Sequence, residues 1–325
     1  MKAIRYHRYG GPEVLELSDL DLPVVGDDDI LIQVKAASVN PLDFHFLRGE
    51  PYLVRLVAGL PRPRVNGLGT DLAGCVESVG RNVTRFQPGD EVYGAVAKGA
   101  TFAEYVSVSQ DGTVLAKPAT LTYEQAAAVP LAGFTALQAL RDKGRVRAGY
   151  RVLVNGASGG VGTFAVQLAK AYGAEVTGVC GTRNLDLVSG IGAEHVIDYT
   201  RDDFTRAGRR YDVLIDLAGN HTLTQLRRAL TPKGVLVAIG GPIRNQWTAP
   251  VTGPLTTVLR SLVVSQTLSP FLTRQSRDDL AVLTEFIDAG KITPVLDRTY
   301  PLSAVPDAIH YLEAGHANGK VVITG

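Results

Sequence analysis

The chain has 325 residues, with 33 Lys or Arg against 32 Asp or Glu, and two cysteines. That length exceeds the usual size of one hydrophobic core, so two domains are expected. The near-neutral charge leaves no basic field for nucleic acid and no polybasic membrane patch. Cys75 and Cys180 cannot build a disulfide framework and suit a reducing, cytoplasmic setting. The start, Met1-Lys2-Ala3-Ile4-Arg5-Tyr6, is strand-like and lacks the apolar core of a signal peptide. The sequons at Asn82-Val83-Thr84 and Asn220-His221-Thr222 are then read as chance. No apolar run reaches the ~18 residues that a membrane helix needs. The nearest, Leu255 to Leu272, is broken by Arg260 and Pro270 and reads as a buried strand and pocket wall.

Up to about Pro118 the pattern is β-rich. Runs such as Ile30-Leu31-Ile32-Gln33-Val34 and Cys75-Val76-Glu77-Ser78-Val79 are punctuated by Gly, Pro and Asp, and Pro88-Gly89-Asp90 reads as a turn feeding the strand Glu91–Gly94. From about Leu121 helix-like segments alternate with apolar strands at Val152–Val154, Val176–Val179, Val196–Ile197, Val213–Ile215 and Val235–Ile239. That alternation predicts an α/β fold with a doubly wound parallel sheet. A helix from Asp278 to Ala289, a strand near Val295, a helix from Ser303 to Glu313 and a terminal strand Lys320–Thr324 complete the chain.

The most informative segment is the strand Val152–Val154, the turn Ala157-Ser158-Gly159-Gly160-Val161-Gly162 and the helix that follows. The turn fits A-x-G-x-x-G, with Ala157 in place of the first glycine. Small residues let backbone N–H groups approach phosphate oxygens, and Gly162 lets the helix pack closely on the strand. Val161, Phe164, Ala165, Leu168 and Ala169 repeat at helical spacing. The helix N-terminus offers unpaired donors and the positive end of its dipole, so the segment predicts a dinucleotide pyrophosphate site.

The next strand ends in Gly181-Thr182-Arg183. An NAD site usually carries an acidic residue there for the ribose 2′-hydroxyl. This stretch offers Thr182 and Arg183 instead, which suit a 2′-phosphate and point to NADPH.

Over its whole length the chain resembles the medium-chain dehydrogenase/reductase superfamily. The resemblance rests on Gly69-Thr70-Asp71-Leu72-Ala73-Gly74-Cys75-Val76 with Val79-Gly80, on Pro88-Gly89-Asp90-Glu91-Val92, on the glycine turn and on Ile197-Asp198-Tyr199. Ser38-Val39-Asn40-Pro41-Leu42-Asp43, Asp288-Ala289-Gly290-Lys291-Ile292-Thr293-Pro294-Val295 and Gly315 to Ile323 are similar to its zinc-independent quinone oxidoreductases, especially the reticulon-interacting-protein and chloroplast quinone-reductase-like group. The resemblance implies a GroES-like β-rich catalytic domain from both chain ends (1–122 and 270–325) around a Rossmann NADP-binding domain (123–269), with substrate and nicotinamide meeting in the cleft.

It also implies a cofactor set. Ser158, Gly160 and Val161 would cradle the pyrophosphate, and Thr182, Arg183 and Tyr199 would surround the 2′-phosphate. Leu217, Ala218 and Gly219 would line the ribose or adenine. Ile239, Gly240 and Gly241 would end the fifth strand at the ligand edge. Thr135 would contact the nicotinamide side, with a helix-start role as the alternative, and His316, Ala317 and Asn318 would close over the ring. A homodimer through the edge strand Leu262-Val263-Val264-Ser265 is expected on the same ground. Leu217 departs from the polar residue common in the group. Residues 44–66, rich in Arg, Pro and bulky apolar groups, match only loosely and should shape the substrate pocket.

Zinc-dependent members hold their metal with cysteine and histidine. Here Asn40 takes the place of the first cysteine, Thr70 and Asp71 that of the histidine–glutamate pair, and Leu131-Ala132-Gly133 surrounds the second cysteine's place. The six histidines show no ligand spacing, so no metal is expected. Without a Lewis acid a simple carbonyl is a hard substrate. A quinone or α,β-unsaturated carbonyl accepts hydride and spreads the charge itself, so the enzyme chiefly aligns the reactants. Three side chains are catalytic candidates. Asn40 is a polar group beside the nicotinamide, or a turn residue before Pro41. Asp43 more readily orders its loop than moves protons, and Tyr52 is a donor or an ordinary half-buried aromatic. A zinc-free carbonyl or alcohol dehydrogenase, a reductase of one biosynthetic intermediate, and a non-catalytic NADPH sensor are the competing readings.

Overall fold

The computed structural model describes residues 1–97, 99–239, 266–315 and 317–325. They form two compact units, residues 1–134 with 275–325, and residues 135–274.

The first unit is built on a seven-stranded sheet. The order is Leu296–Pro301, Lys320–Thr324, Asp29–Val39, Asp71–Val79, Glu91–Ala95, Thr113–Ala116, with Tyr105–Ser109 also paired to Asp29–Val39. The first pair is parallel and the rest antiparallel. A short antiparallel pair joins Lys2–Arg5 to Glu16–Asp19. Asp29–Val39 has strands on both sides, so its length is almost wholly buried and its apolar residues run nearly unbroken. Ile30, Ile32, Leu72, Val76, Val92 and Val321 form the core with Val305, Ala308 and Ile309 from the helix Val305–Glu313.

This unit differs from the predicted catalytic domain at its inner boundary, which falls after Phe134 rather than at 122, with the return at Gln275 rather than 270. The helix Tyr123–Ala127, started by Thr122 and Gln125 in a capping box, packs on Asp29–Val39 and Asp71–Val79. Ala126 and Ala127 are its buried contacts. Small apolar residues there favour docking on a sheet, and nothing in their spacing marks which sheet.

Among the described residues the second unit carries six parallel strands in the order His195–Asp198, Glu175–Cys180, Arg151–Asn155, Tyr211–Asp216, Leu230–Ala238, Thr267–Pro270. In chain order that is 3-2-1-4-5-6, the doubly wound arrangement, and its order reverses beside Arg151–Asn155. The five predicted strands are all present. The edge strand is Thr267–Pro270, while the predicted edge at 262–265 lies outside the described residues. The helix Gly160–Ala171 is buried along Gly162–Ala169, leaving Val161 half-exposed at its first turn.

Leu214 is fully buried in the central strand and packs with Leu153, Phe204, Leu226 and Leu236. Leu214→Ala should cost about 2–5 kcal/mol through the cavity it leaves. Urea unfolding of this unit checks it, and a loss under about 1 kcal/mol would contradict the packing.

Candidate functional site

Strand Arg151–Asn155 delivers the chain into Gly156, whose φ of +93° suits glycine. A Cβ added at Gly162 would sit 2.1 Å from the Gly156 carbonyl oxygen, so the helix can approach the turn this closely only with glycine at 162. Gly159 is the helix N-cap, and no side chain caps it. An added Cβ there meets nothing nearer than the Gly156 oxygen at 3.6 Å. The helix start is therefore uncapped and has room at Gly159, as an anionic pyrophosphate requires. On these observations the turn fits a dinucleotide.

The other predicted nucleotide residues gather at the same carboxyl edge of the sheet. The Asn184 amide donates to Ser158 Oγ at 3.1 Å, tying the turn after Gly181-Thr182-Arg183 to the glycine turn. A Cβ at Gly181 would lie 3.3 Å from the Tyr199 hydroxyl, so the Tyr199 ring stands over that turn, 58% exposed. Leu217 N–H donates to the Asn155 carbonyl, placing Leu217-Ala218-Gly219 beside Gly156, and Ile239 N–H donates to the Asp216 carbonyl. Gly240, Gly241 and His316 lie outside the described residues.

Two features of this edge escape sequence reasoning. Asp198 pairs in register with Cys180, so an acidic residue does stand beside Thr182, although none occurs in the stretch searched. Thr182 Oγ1 donates to it at 2.6 Å, and the Thr200 N–H and hydroxyl fill the other oxygen. These donors, led by Thr182, hold the Asp198 carboxyl below its usual range. The expected Thr182 donation to a 2′-phosphate is thus corrected, because its proton is committed to Asp198. Arg183 and Tyr199 remain for that role. Second, the Asn155 amide donates to Asp216 Oδ1 at 2.8 Å and to Asn220 Oδ1 at 2.9 Å, and Gly219 N–H donates to the same Asp216 oxygen at 3.1 Å. This network fixes the 217–220 turn. Burial raises the Asp216 carboxyl.

In the first unit Asn40 and Asp43 come together with two residues not singled out as functional, Lys320 and Asp71. All four are buried. Asp43 reaches back to accept from Asn40 N–H at 2.7 Å and also accepts from Gly69 N–H at 3.1 Å, the loop-ordering role expected of it. Asn40 donates from Nδ2 to the Ser38 carbonyl (3.2 Å) and to Asp71 Oδ2 (3.0 Å), while its Oδ1 accepts from Lys320 Nζ at 2.5 Å. Lys320 also donates to the Val39 carbonyl and lies 3.8 Å from Asp71 Oδ2. Asp71 further accepts from Ser38 Oγ and Leu131 N–H.

The Asn40 carboxamide is therefore fully engaged, and its geometry is that of a linchpin rather than a free donor. Burial pushes the Asp43 carboxyl up to about 7, against the pull of its two backbone donors. Burial also raises Asp71 and lowers Lys320, while each stabilises the other's charge. Sequence reasoning missed Lys320 because a single Lys heading an apolar strand looks like a solvated end.

The Asn40 and Asp71 positions, where zinc-dependent relatives would place ligands, thus face an ammonium. A dication at these oxygens would be repelled by it. Among the described residues no group of three or more His, Cys, Asp or Glu is arranged to hold a metal. The remaining candidates are placed separately. The Tyr52 ring packs over the Arg55 guanidinium at 4.8 Å, Thr135 shares a 2.8 Å hydroxyl bond with Thr273, and Asn318 N–H donates to Asp297 while Ala317 packs on the core.

Residues 26–119 match the Alcohol dehydrogenase GroES-like domain family, and residues 191–323 match the Zinc-binding dehydrogenase family. The chain is 35% identical to the mouse mitochondrial NAD(P)H oxidoreductase RTN4IP1, over 97% of this chain and 87% of that one. It is 36% identical to the Arabidopsis thaliana chloroplastic NADPH-dependent alkenal/one oxidoreductase, over 99% and 79%. The solved quinone oxidoreductase of Coxiella burnetii superposes with a TM-score of 0.87 at 33% identity, covering 100% of this chain and 99% of that one. The chain belongs to the medium-chain dehydrogenase/reductase superfamily, in its quinone oxidoreductase branch. It is an oxidoreductase, with a GroES-like unit and a Rossmann unit as the sequence predicts.

Asp43 yields a pH prediction with a defined sign. Its folded pKa lies above that of the unfolded chain, so the native state holds the proton longer. The stability this confers is complete below about pH 4 and is lost as pH rises toward about 7. Asp43→Asn should flatten the decline in unfolding free energy between about pH 4 and 7, as read by denaturant unfolding across pH. A variant with an unchanged slope would show that Asp43 is ionised throughout.

Proposed function

We propose that the protein reduces quinones or α,β-unsaturated carbonyls with NADPH, without a metal. The observation that carries the reading is the uncapped glycine turn at the point where the strand order reverses, bordered by Arg183 and Tyr199. Bound NADPH supplies the hydride. Gly159, Gly160, Val161 and Gly162 would hold its pyrophosphate through backbone N–H groups, with Ala157 buried beneath them and Ser158 positioned by Asn184. Arg183 would pair with the 2′-phosphate and exclude NADH by leaving a cation unanswered. Leu217, Ala218 and Gly219 would line the ribose or adenine on the turn that Asp216 fixes. Asn40 and Asp43 tie the start of their helix to Ser38, Gly69 and Asp71, and Lys320 fixes Asn40.

A conjugated acceptor suits such a site, since it stabilises the developing charge itself. The names of the relatives, one a quinone oxidoreductase and one an alkenal/one oxidoreductase, support the same pair of acceptor classes. We further propose a homodimer through the outer edge of the six-stranded sheet, and a reducing compartment such as the cytosol, where Cys75 and Cys180 stay free. Among the described residues no helix is long and apolar enough to cross a membrane.

Purified protein should oxidise NADPH with a naphthoquinone, with 2-alkenals, or with both. Tight NADPH binding with no turnover on either panel would instead mark a sensor. Arg183→Ala should weaken NADPH at least about tenfold, the size of a lost charge-assisted pair, and leave NADH within about twofold. Equal losses for the two cofactors, measured as KM and Kd, would remove Arg183 from the 2′-phosphate site.

A further inference from the structure

The segment Pro51–Asn66 departs from the branch pattern and presents its bulky apolar residues outward. Leu53, Leu56, Leu60 and Val65 are 37%, 62%, 63% and 44% exposed. Leu53 and Leu56 are spaced as neighbours on one helical face around the short helix Val54–Ala58, and Leu60 follows just beyond its end at Gly59. In a chain of net charge +1, these sixteen residues hold three arginines and no Asp or Glu. Arg62 and Arg64 are exposed.

The segment is tied down from behind. The Arg55 guanidinium sits over Tyr9 at 4.6 Å and over Tyr52 at 4.8 Å, and donates to the Gly49 and Arg48 carbonyls. The Tyr9 hydroxyl donates to the Gly59 carbonyl at 2.7 Å, Arg64 N–H to the Ala58 carbonyl at 2.7 Å, and Arg5 to Asn66 at 2.6 Å. Anchored in this way, the loop cannot turn its leucines inward without breaking these bonds, so their exposure is built in.

We propose that this face docks on an anionic lipid surface. Aliphatic side chains flanked by arginines, with no acidic residue between, match the boundary between acyl chains and anionic headgroups. The near-zero total charge hides this local pattern. A second copy is a poorer occupant, because a two-fold contact through this face would bring together two patches that carry arginines and no acidic residue. In so far as the inference rests on the proposed acceptor class, it gives the face a purpose. Quinones and enones with apolar tails reside in lipid, and a docked enzyme meets them there.

The test is flotation of the full chain with phosphatidylcholine vesicles, with and without phosphatidylglycerol. The protein should float only with the anionic vesicles and come off as salt rises. The double variants L56E/L60E and R62E/R64E should each lower the bound fraction by about tenfold or more. Both should keep NADPH affinity, because the residues proposed for the pyrophosphate and the 2′-phosphate belong to the other unit. No flotation, equal flotation on both lipids, or loss of self-association in L56E/L60E without any lipid effect would overturn the proposal. Vesicle binding by a protein that reduces neither acceptor class would refute the reductase reading and leave the docking face standing. Turnover of soluble quinones without vesicle binding would do the reverse.

Discussion

The constraint on which the cofactor reading rests is the close approach of the Gly156 carbonyl to Gly162. A single methyl group at 162 would collide with that oxygen at 2.1 Å. Everything proposed for the cofactor depends on this approach. It seats the helix Gly160–Ala171 against the first strand, leaves its first turn without a side-chain cap, and directs that turn to the carboxyl edge of the sheet. There the turns after Cys180 and Asp216 assemble around it through hydrogen bonds from Asn184, Asn155 and Leu217. The proposed nucleotide site is therefore a property of sheet order and of one glycine pair, with side chains adding selectivity at the rim.

The first unit solves a different problem. It buries one ammonium and two carboxylates, an arrangement that costs several kcal/mol in desolvation per ion unless each is fully hydrogen-bonded. Lys320, Asp71 and Asp43 meet that condition through Asn40, Ser38 and the backbone of Val39, Gly69 and Leu131. Four separate stretches of chain are pinned at one point. Such a network adds less to net stability than to the uniqueness of the geometry around it, and that suits a reaction whose main demand is alignment.

Much of this was legible from sequence, for identifiable reasons. The glycine turn declares itself because strand, turn and helix are contiguous. Five strands of the parallel sheet declare themselves through apolar runs at regular spacing, while Thr267–Pro270 does not. Asp43 could be read as a loop-orderer because the sequence shows no partner for proton transfer, and its carboxyl indeed accepts from Asn40 N–H. What stayed hidden depends on residues far apart in sequence. Lys320 reaches Asn40 across 280 positions. Asp198 reaches Thr182 only because two parallel strands align, and Asp216 meets Asn155 in the same way. The inner boundary was misplaced because Ala126 and Ala127 could pack on either sheet.

The central claim is that the uncapped helix at Gly159 receives the NADPH pyrophosphate, and Gly159→Asp tests it most directly. The backbone at Gly159 is extended and its surroundings are open, so the side chain fits. An N-cap aspartate also favours the helix, so stability should hold or rise. Calorimetric titration should show NADPH binding to the parent chain and a loss of at least about a hundredfold in the variant, from a fixed negative charge set against the phosphates. Equal affinity in the two proteins, with the variant folded, would contradict the account.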